Sequence, residues 1–228
     1  IIMDGGNSFF EDTNRRHKQM ASYGLKYFGV GVSGGEEGAL KGPSIMPSGD
    51  KDAYASIGKI LEDISAKKDG EPCCTYIGPE GSGHYVKMVH NGIEYADMQL
   101  LAETYLILKY TAGYTNSEIA DILEQWNQGD VQSYLVDITV TVLREKDSVT
   151  EHDLVDVILD VAGNKGTGRW TSIEALRQEF NASLLTAAYQ ARIMSNQLAL
   201  RDAYRKGNTP NKKNIDIEKV HQAYKLAK

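Results

Sequence analysis

Gly81-Ser-Gly-His-Tyr-Val-Lys-Met-Val-His-Asn-Gly-Ile-Glu-Tyr95 is where the sequence changes character. Upstream, short apolar runs alternate with polar helical stretches. Downstream, long helical patterns follow one another and strand signals almost vanish. The spacing predicts a helix over 84–111. On it Lys87, His90, Asn91 and Glu94 fall at i, i+3, i+4 and i+7, on one face. That face carries a candidate base, a candidate acid and two neutral hydrogen-bonding groups. The plain alternative is an exposed Lys/Glu face with a capping Asn. Gly92 weighs against it, because glycine inside a helix costs ~1 kcal/mol relative to alanine and implies close approach to the backbone.

Working outward, strands are expected at 1–4, 25–32, 44–47 and 73–77, with helices at 12–23 (Asp12 or Thr13 as cap) and 50–67. Beyond 81, helices are expected at 116–127 (capped by Asn116 or Ser117), 131–144, 151–161 (capped by Thr150), 172–179, 183–206 and 215–228. Gly113 should end the first long helix, and 207–214 reads as a loop around Pro210. The expected fold class is therefore α/β followed by all-α: an α/β domain over 1–80, then a helical domain over 81–228.

The bulk numbers narrow the field. A chain of 228 residues suits one large or two modest domains, and a net charge of −6 argues against general attraction to nucleic acid. An anionic substrate would need a local basic pocket. Cys73 and Cys74 are adjacent, without zinc-ligand spacing, and read as reduced thiols in a cytoplasmic protein. No apolar run approaches the ~20 residues of a membrane span. No signal peptide is expected. Both ends read as clipped, a strand without lead-in and a helix without cap, so a piece of a longer protein is expected.

Three further stretches bear chemistry. In Val32-Ser-Gly-Gly-Glu-Glu-Gly38 a strand ends in a small-residue turn, where backbone N–H groups can meet a carboxylate or phosphate; a simple tight turn is the alternative. Gly29, Gly31 and Gly34 formally match G-x-G-x-x-G. Pro43 limits the following helix, however, and no ribose-binding acid follows on a parallel strand, so this is not read as a dinucleotide fingerprint. Gly163-Asn-Lys-Gly-Thr-Gly-Arg-Trp170 combines flexible backbone, cations and a hydroxyl, either as an anion site or as an interhelical loop with incidental charge. Arg192 stands in an apolar helix as a snorkelling residue or an anion clamp. Asn7 follows the first strand, where open α/β sheets bind ligands, or else simply forms a turn. His17, His84, His152 and His221 lack metal-ligand pairing and read as surface or structural.

Taken in order, Ile2-Met-Asp-Gly-Gly-Asn-Ser8, Gly31-Val-Ser-Gly-Gly-Glu-Glu-Gly-Ala39, Gly42-Pro-Ser-Ile-Met-Pro47, Gly70-Glu-Pro-Cys-Cys74, the run from Gly83 to Tyr95 and Gly163-Asn-Lys-Gly-Thr-Gly-Arg-Trp-Thr171 resemble the decarboxylating 6-phosphogluconate dehydrogenases. The resemblance spans nearly the whole chain, and Lys-Met-Val-His-Asn-Gly-Ile-Glu-Tyr is its most specific part. It implies the C-terminal part of a Rossmann-like NADP-binding domain plus part of a helical domain for substrate and dimerisation. It also implies the oxidation of 6-phosphogluconate to ribulose 5-phosphate and CO2 with NADP, in gluconate utilisation and the pentose phosphate pathway.

The resemblance further implies roles. Lys87 is the base at the C3 hydroxyl and Glu94 the acid that protonates C1. Asn7, Ser33, Gly34, Gly35, His90 and Asn91 hold the sugar acid, with Asn7 also near the cofactor. Tyr95, Lys165, Thr167 and Arg192 hold the phosphate. No metal is required, since a β-keto acid decarboxylates once its carbonyl is polarised. Full-length relatives are homodimers, and neither nucleic acid nor membrane is an expected partner. The family's opening G-x-G-x-x-G unit and C-terminal tail have no counterpart here, so the isolated chain is expected to turn over poorly. Two alternatives stay open: another NAD(P)-dependent β-hydroxyacid dehydrogenase, in which the phosphate set would have no purpose, and a non-catalytic helical scaffold, which would need neither Lys87 nor Glu94.

Overall fold

The computed structural model describes residues 1–204 and 213–228. They divide into two compact units. The first comprises Ile1–Ile93 with Lys165–Ala182, and the second Glu94–Asn164 with Ser183–Lys228.

The first unit is built on a three-stranded sheet. β1 (Ile2–Asp4) leads through α1 (Phe10–Ser22) to β2 (Tyr27–Ser33), which lies parallel to β1. After α2 (Gly35–Lys41), β3 (Ser44–Ser48) returns antiparallel on the other side of β2, giving the order β1-β2-β3. With a neighbour on each edge, β2 is buried from Tyr27 to Gly31, which is why it reads as a continuous apolar run. Phe28, Val30, Ile45, Ile57, Leu61 and Cys74 form the core beneath it.

The expected strand at 73–77 is a correction: it makes only isolated parallel bridges, Ile45 to Cys74 and Ser48 to Gly78. Backbone bonds Ile45 N–H to Cys73 O (2.9 Å) and Ile77 N–H to Pro47 O (2.8 Å) flank a gap. Pro47 sits on that edge with no N–H to donate, so a ladder cannot continue across it. The helix expected over 50–67 is two pieces, α3 (Lys51–Tyr54) and α4 (Gly58–Ile64). Between them the Ser56 hydroxyl donates to the Ala53 carbonyl at 2.7 Å, competing with the helical ladder. A minimal ladder, β4 (Lys67–Lys68) with β5 (Glu71–Pro72), completes this part. α1 begins at Phe10 with no side-chain cap, so neither Asp12 nor Thr13 caps it.

The long helix exists: α5 (Ser82–Leu106) continues into a π-helical stretch, Ile107–Ala112, which Gly113 ends in the left-handed conformation. α6 (Asn116–Trp126) is capped by Thr115, one residue before the expected caps, in a capping box with Glu118. The reason is tertiary: Asn116 is buried, and its amide donates to Asp153 (2.7 Å) and Asp156 (2.9 Å). α7 (Tyr134–Arg144) follows as expected.

The helix expected over 151–161 shrinks to α8 (Leu154–Val157). Thr150 caps nothing; its N–H and hydroxyl both donate to Asp147, closing a turn. α9 (Thr167–Arg177) starts earlier than expected. The stretch from 183 splits into α10 (Ser183–Ser195) and α11 (Leu198–Tyr204) where the Asn196 amide bonds the Arg192 and Ala162 carbonyls. The expected loop at 207–214 lies mostly outside the described residues. α12 (Ile217–Ala227) packs Tyr224 into a core with Leu101, Leu108, Ile119, Leu123 and Trp126.

Candidate active site

β1 ends in an acid that organises the turn beyond it. The Asp4 carboxylate accepts from the Gly6 N–H (3.1 Å), the Ser8 hydroxyl (2.7 Å) and the Tyr27 hydroxyl (2.9 Å). Burial acts to raise its pKa, but the bonds from Ser8, Gly6 and Tyr27 outweigh it and hold the carboxyl below the usual range. Gly5-Gly6-Asn7 is thereby fixed at the carboxyl end of the parallel pair β1/β2, with Asn7 exposed. Such ends are where open α/β sheets present groups to ligands. Ser33, Gly34 and Gly35 close β2 at the same end, Ser33 half-buried and both glycines exposed.

α5 lies directly on this sheet. A methyl on Gly83 would come within 2.0 Å of the Met46 carbonyl oxygen and 3.0 Å of that of Gly29. A methyl on Gly31 would meet the Gly83 carbonyl and the Lys87 Cβ, each at 2.7 Å. Gly29, where a methyl would meet His84 Nδ1 at 3.0 Å, and Gly31 therefore serve helix-on-strand contact. That contact, at Gly31, two residues before Ser33 on β2, buries Lys87, which is 7% exposed. One turn further His90 and Asn91 are half-buried, with His90 Nδ1 3.3 Å from Asn91 Oδ1.

α9 belongs to the same unit. Its N-cap, Gly166, is left-handed, and no side chain caps the helix. The first-turn N–H groups of Thr167, Gly168 and Arg169 thus point out of an 11-residue helix without intrahelical acceptors, beside the exposed Lys165. Thr167 itself is buried. A residue with no assigned role in the sequence reading, Thr171, ties this helix to α5. Its hydroxyl lies 2.8 Å from the Met88 carbonyl and 2.9 Å from that of Thr167. A Thr within a Gly-, Lys- and Arg-rich run gave no signal for that link.

In the second unit, α5 carries the half-buried Glu94 and the buried Tyr95. Arg192 of α10 stacks over the Tyr95 ring at 3.6 Å and donates to the Gly163 carbonyl at 2.6 Å. The guanidinium is thus held between an aromatic face and a loop carbonyl. Among the described residues no group of three His, Cys, Asp or Glu side chains could hold a metal ion, and no helix is long and apolar enough to cross a membrane.

Comparison with known proteins agrees along the whole chain. Residues 1–78 match the NAD binding domain of 6-phosphogluconate dehydrogenase, and residues 83–228 match the 6-phosphogluconate dehydrogenase C-terminal domain. The NADP(+)-dependent decarboxylating 6-phosphogluconate dehydrogenase of Bacillus subtilis is 55% identical over 86% of this chain and 42% of its own. The NAD(+)-dependent enzyme of the same organism is 49% identical over all of this chain and 50% of its own. Among solved structures, the Plasmodium falciparum 6-phosphogluconate dehydrogenase, studied with its cofactor NADP+ and its substrate 6-phosphogluconate, superposes with a TM-score of 0.88. The identity is 42%, over 98% of this chain and 49% of that one. The chain spans about half the length of the curated relatives it matches.

Proposed function

The chain belongs to the 6-phosphogluconate dehydrogenase family, and from that membership we propose that it carries the catalytic centre for oxidative decarboxylation of 6-phosphogluconate to ribulose 5-phosphate and CO2. The observation that carries the proposal is the buried Lys87, packed on Gly31 beside the Ser33-Gly34-Gly35 turn, in a segment matching the family from end to end. The family matches at 1–78 and 83–228 support a coenzyme-domain remainder over 1–80 and a helical substrate and dimerisation domain over 81–228. The same reading makes the full protein a cytoplasmic homodimer.

Lys87 removes the C3 hydroxyl proton and later returns one. Its burial supports the role, because a general base must be held in place at the group it deprotonates. Glu94, two turns along α5, protonates C1 after CO2 leaves. Ser33, Gly34, Gly35, His90 and Asn91 orient the sugar acid. Lys165 and Thr167 at the start of α9, with Arg192 and Tyr95, bind the phosphate. NADP, when bound, supplies the hydride acceptor. Asn7 suits a contact to it, since the turn is fixed by Asp4 and open above Gly5, where a methyl would meet only Val32 Cγ2 at 4.0 Å. NAD in place of NADP is the second reading, favoured by the NAD(+)-dependent relative.

Calorimetric titration with 6-phosphogluconate and with gluconate tests the substrate. We expect binding of the phosphorylated acid to be at least about tenfold tighter, the value of a single charge-assisted contact. Equal affinity for the two would remove the phosphate set from its role.

A further inference from the structure

We propose that His84 is a positioning residue that sets the placement of Lys87 relative to the Gly5-Gly6-Asn7 turn, acting with Thr13 as its hydroxyl partner. The inference rests on reading Lys87 as the base.

His84 is 1% exposed and joins three elements. Its Nε2 lies 3.1 Å from the carbonyl oxygen of Asp4, the last residue of β1. Its Nδ1 lies 2.7 Å from Oγ1 of Thr13 on α1, a residue of zero exposure. A carbonyl only accepts, so Nε2 carries the proton, and Nδ1 then accepts from the Thr13 hydroxyl. Thr13 Oγ1 is also 3.3 Å from the Phe9 carbonyl, but its single proton serves the shorter contact. The result is a directed chain, Thr13 O–H to His84 to Asp4 O, with one tautomer and one ring orientation.

The location gives this chain its purpose. A methyl on Gly29 would meet Thr13 Cγ2 at 2.7 Å and His84 Nδ1 at 3.0 Å, while a methyl on Gly31 would meet Lys87 Cβ at 2.7 Å. Gly29 and Gly31 are alternate residues on one face of β2, so His84 and Lys87 are seated side by side on the same strand. The carbonyl that His84 bonds belongs to the residue whose carboxylate shapes the Asn7 turn. One ring therefore couples the helix bearing the base to the turn bearing Asn7. Burial lowers the pKa of the ring, opposed by Asp4 and by the Val30 backbone and assisted by Arg16, so the neutral form that this geometry needs is favoured. Hydrogen bonds behind a reactive group fix it in its working geometry.

The test is competitive acetylation of Lys87 in this chain, followed against pH by peptide mass spectrometry, with the exposed Lys219 as reference. Wild type and Thr13→Ser should give one profile. Thr13→Val and His84→Gln should move the Lys87 midpoint by about half a pH unit or more, about threefold in rate on the rising limb, leaving Lys219 unchanged. A Lys87 profile unmoved in both variants overturns the proposal. Should His84→Gln fail to fold, Thr13→Val against wild type decides, since valine keeps the shape of threonine and removes only the hydroxyl, with Thr13→Ser expected to retain the wild-type profile. Nitrogen NMR of the wild-type ring should show neutral Nε2–H at neutral pH; an Nδ1–H or charged ring would overturn the directed chain. Failure of wild type to bind 6-phosphogluconate would count against the proposed function, whereas the lysine profiles judge the positioning role without substrate.

Discussion

Gly31 and Lys87 are packed so closely that a methyl on the glycine would stand 2.7 Å from the lysine Cβ. The opposing atom is the root of the side chain, which cannot swing aside. Gly31→Ala must therefore push α5 off β2 or strain the strand. Overpacking of this kind costs roughly 1–3 kcal/mol. A lowered urea midpoint and weaker 6-phosphogluconate binding are expected together. An unchanged midpoint would mean that the helix–strand contact opens without cost.

Gly83→Ala is the harsher change, because the added methyl meets a backbone oxygen, that of Met46, at 2.0 Å. Its urea midpoint should fall further than that of Gly31→Ala. The reverse order would show that the start of α5 shifts more readily than the turn bearing Lys87.

Stability should follow pH through His84 and Asp4. Burial lowers the pKa of His84 from its ordinary 6.5, so in the window below 6.5 the unfolded chain binds the proton more readily. Its contribution is full above 6.5 and is lost as pH falls through the folded value. Asp4, lowered from 3.8, contributes fully above 3.8 and loses that contribution below it. One proton bounds each slope at about 1.4 kcal/mol per pH unit. Urea midpoints of His84→Gln should therefore be flatter than wild type between about pH 7 and pH 5, and those of Asp4→Asn flatter below about pH 4. Parallel wild-type and variant curves would remove the linkage.

Arg192 owes its direction to Tyr95 and the Gly163 carbonyl. Arg192→Ala should weaken 6-phosphogluconate binding by about ten- to a hundredfold, the value of a charge-assisted hydrogen bond, and leave gluconate binding unchanged. Tyr95→Leu should follow the same pattern at smaller size, because the guanidinium loses its platform. Equal losses for both ligands in calorimetry would place Arg192 away from the phosphate.

How far the sequence foretold this depends on whether the deciding contact was local. The α6 and α7 helices and the Gly113 stop are set by periodicity and a left-handed glycine, both local, and they were legible. Thr115 displaced Asn116 as the cap because Asn116 is engaged by Asp153 and Asp156, some forty residues away. The strand at 73–77 dissolved because of a proline on its neighbour. At the site, helical spacing marks the Lys87 face, but His84, three residues earlier on the same helix, reads in sequence as surface or structural. Its meaning comes from Thr13 and Asp4, on elements that only the fold brings to it.

Lys87 and Glu94 make separable predictions, because proton removal at C3 precedes proton addition at C1. Lys87→Met removes the base while keeping much of the apolar stem that packs on Gly31. In any preparation that reduces NADP, this change should cut oxidation by about 10²–10⁴, the usual worth of a positioned general base, and largely spare 6-phosphogluconate affinity. Glu94→Gln keeps the shape and removes the acid, so the burden falls on the second half of the reaction. Ribulose 5-phosphate formation should slow more than the first turnover of NADPH, read as a pre-steady-state burst followed by a slow phase. A Glu94→Gln enzyme with no burst and an unchanged steady rate would take the acid role away from Glu94. Unchanged turnover in Lys87→Met would do the same for the base.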